Sequence, residues 1–261
     1  MKFQIAAILS LAMAGPLHRL DAQENYEIQV YESETAPRGK TVFELHSNFT
    51  RRGRTLPLRG MLPTDGAFHE TLEITHGISD IFEVGVYLFT SLRSGEGWQV
   101  AGAHIRPRIR APESWKLPVG LGLSTELGPT SAKFDENEFS VELRPIVDQT
   151  IGRLYWALNP TIGWSLKGPD AGTGIRGTTF NPSAKLGWQF TKKIQAGVEY
   201  YGGTGSLARV APADEQSHLL YPTIDLNISP EWEFNLGYGV LLSGTGDQNI
   251  LKMIVGRRFA W

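Results

Sequence analysis

From residue 39 onward, apolar and polar positions alternate with a period of two, not 3.6, which predicts strands and not helices. Val119, Leu121, Leu123, Thr125 and Leu127 alternate with Gly120, Gly122, Ser124 and Glu126. Phe139, Val141, Leu143, Pro145 and Val147 alternate with Ser140, Glu142, Arg144 and Ile146. The same rhythm runs through 156–164, 180–190, 194–200 and 232–240. The runs are about ten residues long, roughly twice a strand of a soluble sheet and the length a tilted strand needs to cross a bilayer. Aromatic residues bracket the apolar face: Trp156 and Trp164, Phe180 and Phe190, Trp232 and Tyr238. Two interfacial girdles on a membrane barrel would read this way.

Strands are predicted at 40–49, 68–76, 81–90, 98–110, 117–127, 138–147, 154–166, 178–190, 194–201, 216–228, 232–242 and 248–261. Short links are expected at Gly77–Asp80, Ala111–Lys116, Asp148–Arg153, Thr191–Lys193 and Ser229–Glu231. Longer links are expected at Thr50–Gly66, Ser91–Gly97, Gly128–Asn137, Lys167–Gly177 and Gly202–Glu215, with a shorter one at Ser243–Asp247. That alternation is the asymmetry of outer-membrane barrels, tight periplasmic turns against longer external loops. The expected fold is therefore all-β: a transmembrane antiparallel β-barrel of about twelve strands over residues 39–261, with both ends periplasmic.

The N-terminus changes the picture in two ways. Lys2 followed by the apolar run Phe3–Ala14 and a break at Gly15-Pro16 reads as a secretory signal, too short to span a bilayer. Cleavage after Ala14 or Ala22 would follow, the second leaving a mature start at Gln23 and a signal peptide of residues 1–22. Residues 23–38 then form an N-terminal extension. It contains the short alternating piece Tyr26–Tyr31, set off by Pro37-Arg38-Gly39. A periplasmic extension, a cap and an insert in the lumen are all compatible with it.

Composition narrows the class further. The 29 glycines and 15 prolines among 261 residues suit many strands and turns. Mean hydropathy is -0.19, which a barrel tolerates because only alternate residues meet lipid. The formal net charge of -2 argues against a nucleic-acid partner. Cysteine is absent, which excludes disulfides, thiolate metal sites and cysteine nucleophiles.

The chain closes with Gly256-Arg257-Arg258-Phe259-Ala260-Trp261. This resembles the terminal signal by which bacterial outer-membrane barrels reach the assembly machinery: Gly256, two free positions, apolar Phe259, a free position and terminal Trp261. Trp261 stands where Phe is commoner, and Ile254 where a polar residue is often found. The blocks Thr41–His46 and Leu72–Gly85, a strand, a Gly-x-Ser/Thr-Asp turn and another strand, resemble the transporter-like barrels of the phenol-degradation (MetA) pathway family. That resemblance implies an outer-membrane location, lipid around the barrel and a transport role. It supplies no catalytic residues and no cofactor.

Candidate chemistry is sparse. His46 and Ser47 are adjacent, so they point to opposite faces and cannot act as a nucleophile–base pair. His69 and Glu73 share a face but lie roughly 13 Å apart, too far for one ion. Asp135, Glu136 and Glu138, and Asp214, Glu215 and His218, read as solvated loop groups. Gly202-Gly203-Thr204-Gly205 and Gly244-Thr245-Gly246-Asp247 read as loop tips. The most informative cluster is Arg106, Arg108 and Arg110 with His104 on one strand face. Each Arg would cost several kcal/mol on a lipid face, so the ladder belongs in the lumen. Glu126, Glu142 and Glu199 are expected to face it. Arg144, Lys185, Asp225, Lys252 and Arg258 complete the expected lumen set. An unpaired ladder would select anionic solutes in a passive channel for small molecules. A paired one would close the barrel, leaving a structural, adhesive or lipid-acting protein.

Overall fold

The computed structural model describes residues 25–244 and 246–260. The expected signal peptide, Gln23 and Glu24 of the extension, and the terminal Trp261 lie outside them.

Fourteen strands follow in chain order: β1 Lys40–Arg52, β2 Phe68–Ser79, β3 Phe82–Arg93, β4 Gly97–Arg110, β5 Gly120–Pro129, β6 Phe139–Ile151, β7 Leu154–Lys167, β8 Thr178–Thr191, β9 Ile194–Gly203, β10 Gly205–Ser206, β11 Arg209–Val210, β12 Ser217–Ser229, β13 Trp232–Gly244 and β14 Gln248–Ala260. β10 and β11 form a small separate hairpin. The other twelve close a barrel in the order β1-β14-β13-β12-β9-β8-β7-β6-β5-β4-β3-β2. Every neighbour is antiparallel, and β1 meets β14 from Lys40↔Ala260 to Arg52↔Gln248. Closure leaves no unpaired sheet edge.

The end carrying Lys40 and Ala260 is the turn end. Four of its hairpins are closed by two residues each: 80–81, 152–153, 192–193 and 230–231. The opposite, loop end carries the long segments 53–67, 130–138, 168–177 and 204–216. Three links differ most from expectation. Asp148–Arg153 contracts to residues 152–153, because β6 and β7 pair all the way to Ile151↔Leu154. Ser91–Gly97 contracts to residues 94–96, because β3 and β4 pair all the way to Arg93↔Gly97 and Gly95 supplies the positive φ of a tight turn. The link after Arg110 lengthens to residues 111–119, where Pro112 and Pro118 cannot donate to a ladder and a short 3-10 turn, Glu113–Trp115, intervenes. Gly202 and Gly203, expected as a loop tip, belong to β9.

The alternation sorts faces as the pattern requires. Leu45, Leu72, Val86, Leu121, Leu158, Leu186, Val198, Leu236 and Leu251 form an outward apolar belt, each more than a third exposed. A belt of this kind around a whole molecule has no place in water. Aromatics mark both rims. Phe68 packs edge-on against Trp98 at the loop end. Phe43 meets Phe259, and Arg257 sits over the Trp232 and Phe259 rings, at the turn end. The inward face carries Glu73, Arg106, Asn159, Glu199 and Lys252, all nearly fully buried.

Burial is completed by the chain itself. Residues 25–38 run inside the barrel, so of the three placements open to the extension, these residues take the lumen. Asn25 lies at the loop end, where its amide donates to Asp247. Thr35 and Ala36 reach the turn end, where the Ala36 N–H donates to Glu83. Gly39 then bonds the Gly77 carbonyl and the chain turns into β1. That bend is tight. A Cβ on Gly77 would lie 2.3 Å from the carbonyl oxygens of both Ala36 and Pro37.

Gly77→Val therefore overpacks a backbone contact. A loss of about 1–3 kcal/mol in urea unfolding in micelles is expected, with faster proteolysis within residues 25–38. Unchanged stability and protection would contradict the placement.

Candidate functional site in the barrel lumen

Residues 25–38 pair with no strand, so their amides and carbonyls have no ladder and must find other partners. Wall side chains take that role. Asn159 on β7 brackets Tyr31, accepting from its N–H at 2.6 Å and donating to its carbonyl at 3.0 Å. Thr71 donates to the Tyr26 carbonyl at 2.7 Å, and Asn48 donates to that of Asn25 at 3.0 Å. Lys252 donates to the Ile28 carbonyl at 3.0 Å. Asp148 accepts from the Ser33 N–H and hydroxyl at 3.1 and 2.6 Å. The segment is held from β1, β2, β3, β6, β7 and β14 at once.

Tyr31 stands at its centre. Its ring lies under the guanidinium groups of Arg144, Arg106 and Arg108, at 4.6, 4.9 and 5.4 Å from the centroid. Cations held over an aromatic face are attracted by its quadrupole, most strongly when desolvated. The Tyr31 hydroxyl bonds Glu27 and lies 2.8 Å from that of Tyr87.

The arginine ladder is paired. Arg106 meets Glu73 at 2.5 Å and Glu83 at 3.0 Å. Arg108 meets Glu83 at 2.7 Å. Gly85, on β3 between these groups, presents no side chain, and a Cβ there would come within 3.1 Å of the Arg106 guanidinium. Its absence lets Arg106 lie across β3 and reach Glu73 on β2. Arg110, near the turn end, pairs instead with exposed Glu113 at 2.6 Å.

Of the carboxylates expected to face the ladder, one meets the histidine on its face and two serve other groups. Glu126 meets His104 at 2.7 Å, and Glu142 meets Arg144 at 2.5 Å. Glu199 pairs with Lys252, and also with Lys185 at 3.3 Å. Lys185 reaches Asp225 at 2.8 Å. Arg258 pairs with Glu233 at 2.5 Å. The ladder's own partners, Glu73 and Glu83, were not in the expected lumen set, nor was Tyr31. One signal was available for Glu83, a charged residue inside a strand; it sits directly opposite Arg108 across the β3–β4 hairpin.

The other candidates resolve simply. His46 is buried in the lumen beside Glu73 at 3.3 Å, while Ser47 on the opposite face donates to Glu70. The loop acids find local partners: Glu136 with Arg59, Glu138 with Lys167, and Asp135 with the Asn137 N–H. His218 bonds Tyr200 at 2.7 Å. Gly256 lies beneath the Glu233 side chain.

Toward the loop end the lumen is packed. Ile28 and Val30 join Ala157, Tyr201, Leu219, Tyr221 and Ile250. Tyr26 joins Tyr87, Phe89 and Ala101. Toward the turn end lies a polar cavity of about 590 Å³. Its wall carries seven carboxylates, Glu32, Glu34, Glu44, Glu83, Glu199, Asp225 and Glu233, against four basic groups, Arg106, Arg108, Lys185 and Arg258.

Solved structures share this architecture. An outer membrane channel from Pseudomonas putida F1 superposes with a TM-score of 0.64 at 13% identity, over 89% of this chain and 100% of that one. The chain has the fold of outer-membrane channel barrels. The NanC porin matches with a TM-score of 0.55 at 7% identity, covering 84% of this chain and 99% of its own. The KdgM porin in complex with disordered oligogalacturonate matches at 0.51 and 11%, with the same coverage. No family model matches the sequence, and no curated protein does. The likeness between this barrel and its neighbours therefore lies in architecture.

Removing one member of a buried ion pair strands the other, which costs about 3–5 kcal/mol. Glu83 serves Arg106, Arg108 and the Ala36 N–H together. Glu83→Gln should destabilise the barrel by that amount in urea, well beyond Glu138→Gln at the surface pair with Lys167. Equal effects of the two substitutions would show that Glu83 carries no such burden.

Proposed function

We propose that this protein is a channel of the bacterial outer membrane for small polar solutes, with its turn end toward the periplasm, and that residues 25–38 hold it closed. The observation that carries this reading is the lumen itself. Its wall is polar and charged around the turn-end cavity, that cavity is large enough for a small solute, and the obstruction beyond it is built on a non-strand segment that the barrel's own ladder does not need. Likeness to solved channels supports the location and the general role. The apolar belt and aromatic rims fit lipid, and the outward end of β14, with Phe259, fits presentation to the assembly machinery together with Trp261.

Anion preference, one reading of the arginine ladder, loses its footing because Arg106 and Arg108 are both paired with carboxylates. The carboxylate excess around the cavity favours cations instead. The packed loop end favours a second reading, a permanently closed barrel with a structural role.

Single-channel recording separates these. The full-length mature chain in a planar bilayer should show rare openings, and a variant lacking residues 25–36 should show frequent steps of larger conductance. Under a salt gradient the reversal potential should take the sign of cation preference. A deletion variant that folds, judged by its heat-shifted mobility, and never conducts would establish the closed barrel. A reversal potential of anionic sign would overturn the selectivity.

A further inference from the structure

We infer that Glu44 and His46 on β1 and Glu73 on β2 form a binding site for a divalent transition-metal cation, zinc by its donor set, reached from the turn-end cavity. The three residues are brought together by register. Glu44 and His46 are two apart on one strand face, and Glu73 lies directly opposite Glu44 on the neighbouring strand. Each offers a ligand atom, and the three atoms lie within 4.8 Å of one another. His46 Nε2 and Glu73 Oε2 are already 3.3 Å apart. Two ligands of a tetrahedral zinc with bonds of about 2.1 Å stand about 3.4 Å apart, so this edge needs no movement.

The surroundings favour a cation. The Oε1 edge of Glu73 is taken by Arg106 and Thr75 at 2.5 and 2.6 Å, which orients the carboxylate and leaves Oε2 toward His46. Such outer partners position metal-binding carboxylates. His46 is fully buried and its Nδ1 has no hydrogen-bond partner, so the ring is held from one side only. Glu44 forms no ion pair with a lysine or arginine among the described residues, and its carboxyl instead meets that of Glu233. Glu44 lines the cavity, so a cation can arrive from solvent. One imidazole with two carboxylates suits zinc better than calcium or magnesium, which take oxygen alone. The site does not depend on whether the barrel conducts.

The test uses the full chain refolded in micelles, with zinc alone in equilibrium dialysis and cobalt as a spectroscopic substitute. One zinc per chain and the visible absorption of low-symmetry cobalt are expected. His46→Ala and the isosteric Glu44→Gln should each weaken binding at least about tenfold, while His218→Ala leaves it unchanged. Heat-shifted mobility shows which variants have folded, and Glu44→Gln keeps the test informative if His46→Ala has not. Folded wild-type protein that takes up neither metal would overturn the site, and so would a folded Glu44→Gln variant that binds as the wild type does.

Discussion

A segment laid through a sheet-walled lumen has no ladder to satisfy its backbone, and buried amides and carbonyls without partners are costly. The interior of this barrel is organised around meeting that demand. Asn159, Asn48, Thr71, Asp148, Glu83 and Lys252 each bond main-chain atoms of residues 25–36. These side chains come from two arcs of the barrel, β14-β1-β2-β3 and β7-β6, so the segment is gripped from two separate parts of the wall. The same contacts couple the segment to the wall, because Glu27, Ile28, Tyr31, Glu32 and Ala36 touch groups that also hold the charge network together.

That network follows from the same constraint. Charges inside the barrel must be paired, since desolvation is expensive and an isolated buried ion more so. Arg106, Arg108 and Arg144 meet carboxylates at their tips and the Tyr31 ring at their flat faces. Tyr31 thus belongs to the wall network as much as to the segment. Displacing it would leave Arg108 and Arg144 without their aromatic face and Asn159 without its bracket. A closure made this way is specific and reversible in principle, because it rests on hydrogen bonds and ring contacts and not on covalent links. Toward the turn end the arrangement loosens into a cavity whose carboxylates outnumber its bases, and the cluster of Glu44, His46 and Glu73 sits at that boundary.

Much of this was legible in the sequence. Period-two alternation placed twelve strands close to their observed bounds and assigned each face, since a strand with one face in lipid cannot slip by a residue without reversing both. It placed Arg106, Arg108, Glu199 and Lys252 inward for the same reason. Pairing was less legible. Glu126, Glu142 and Glu199 looked like partners for the ladder because they lie on inward faces, but which inward groups meet depends on stagger between strands. Glu83 was within reach as a charged residue inside a strand, which belongs on the lumen face, although the register shift between Phe89 and Thr90 hides its pairing with Arg108 from a simple count along the β3–β4 hairpin. The pairing of Glu73 was hidden too, because Arg106 reaches it across an intervening strand through the space that Gly85 leaves. The course of residues 25–38 was equally hidden. The alternation of Tyr26–Tyr31 shows that the piece has two unlike sides, and only the wall opposite shows that both sides are satisfied inside the barrel.

The central claim is that this segment lies within the lumen. The chain has no cysteine, so an engineered pair reports without background. A Cβ at Gly120 would stand 3.2 Å from the Ser33 Cβ, a few tenths of an ångström inside the separation a disulfide spans, and the Asp148 carboxylate, 2.1 Å from it, would have to turn aside. The double variant Ser33→Cys, Gly120→Cys should cross-link on mild oxidation of the folded protein in membranes, leaving no thiol to label, and reduction should restore two. Thiols that stay free and react with a bulky water-soluble reagent in the folded protein would place the segment outside the barrel and contradict the account.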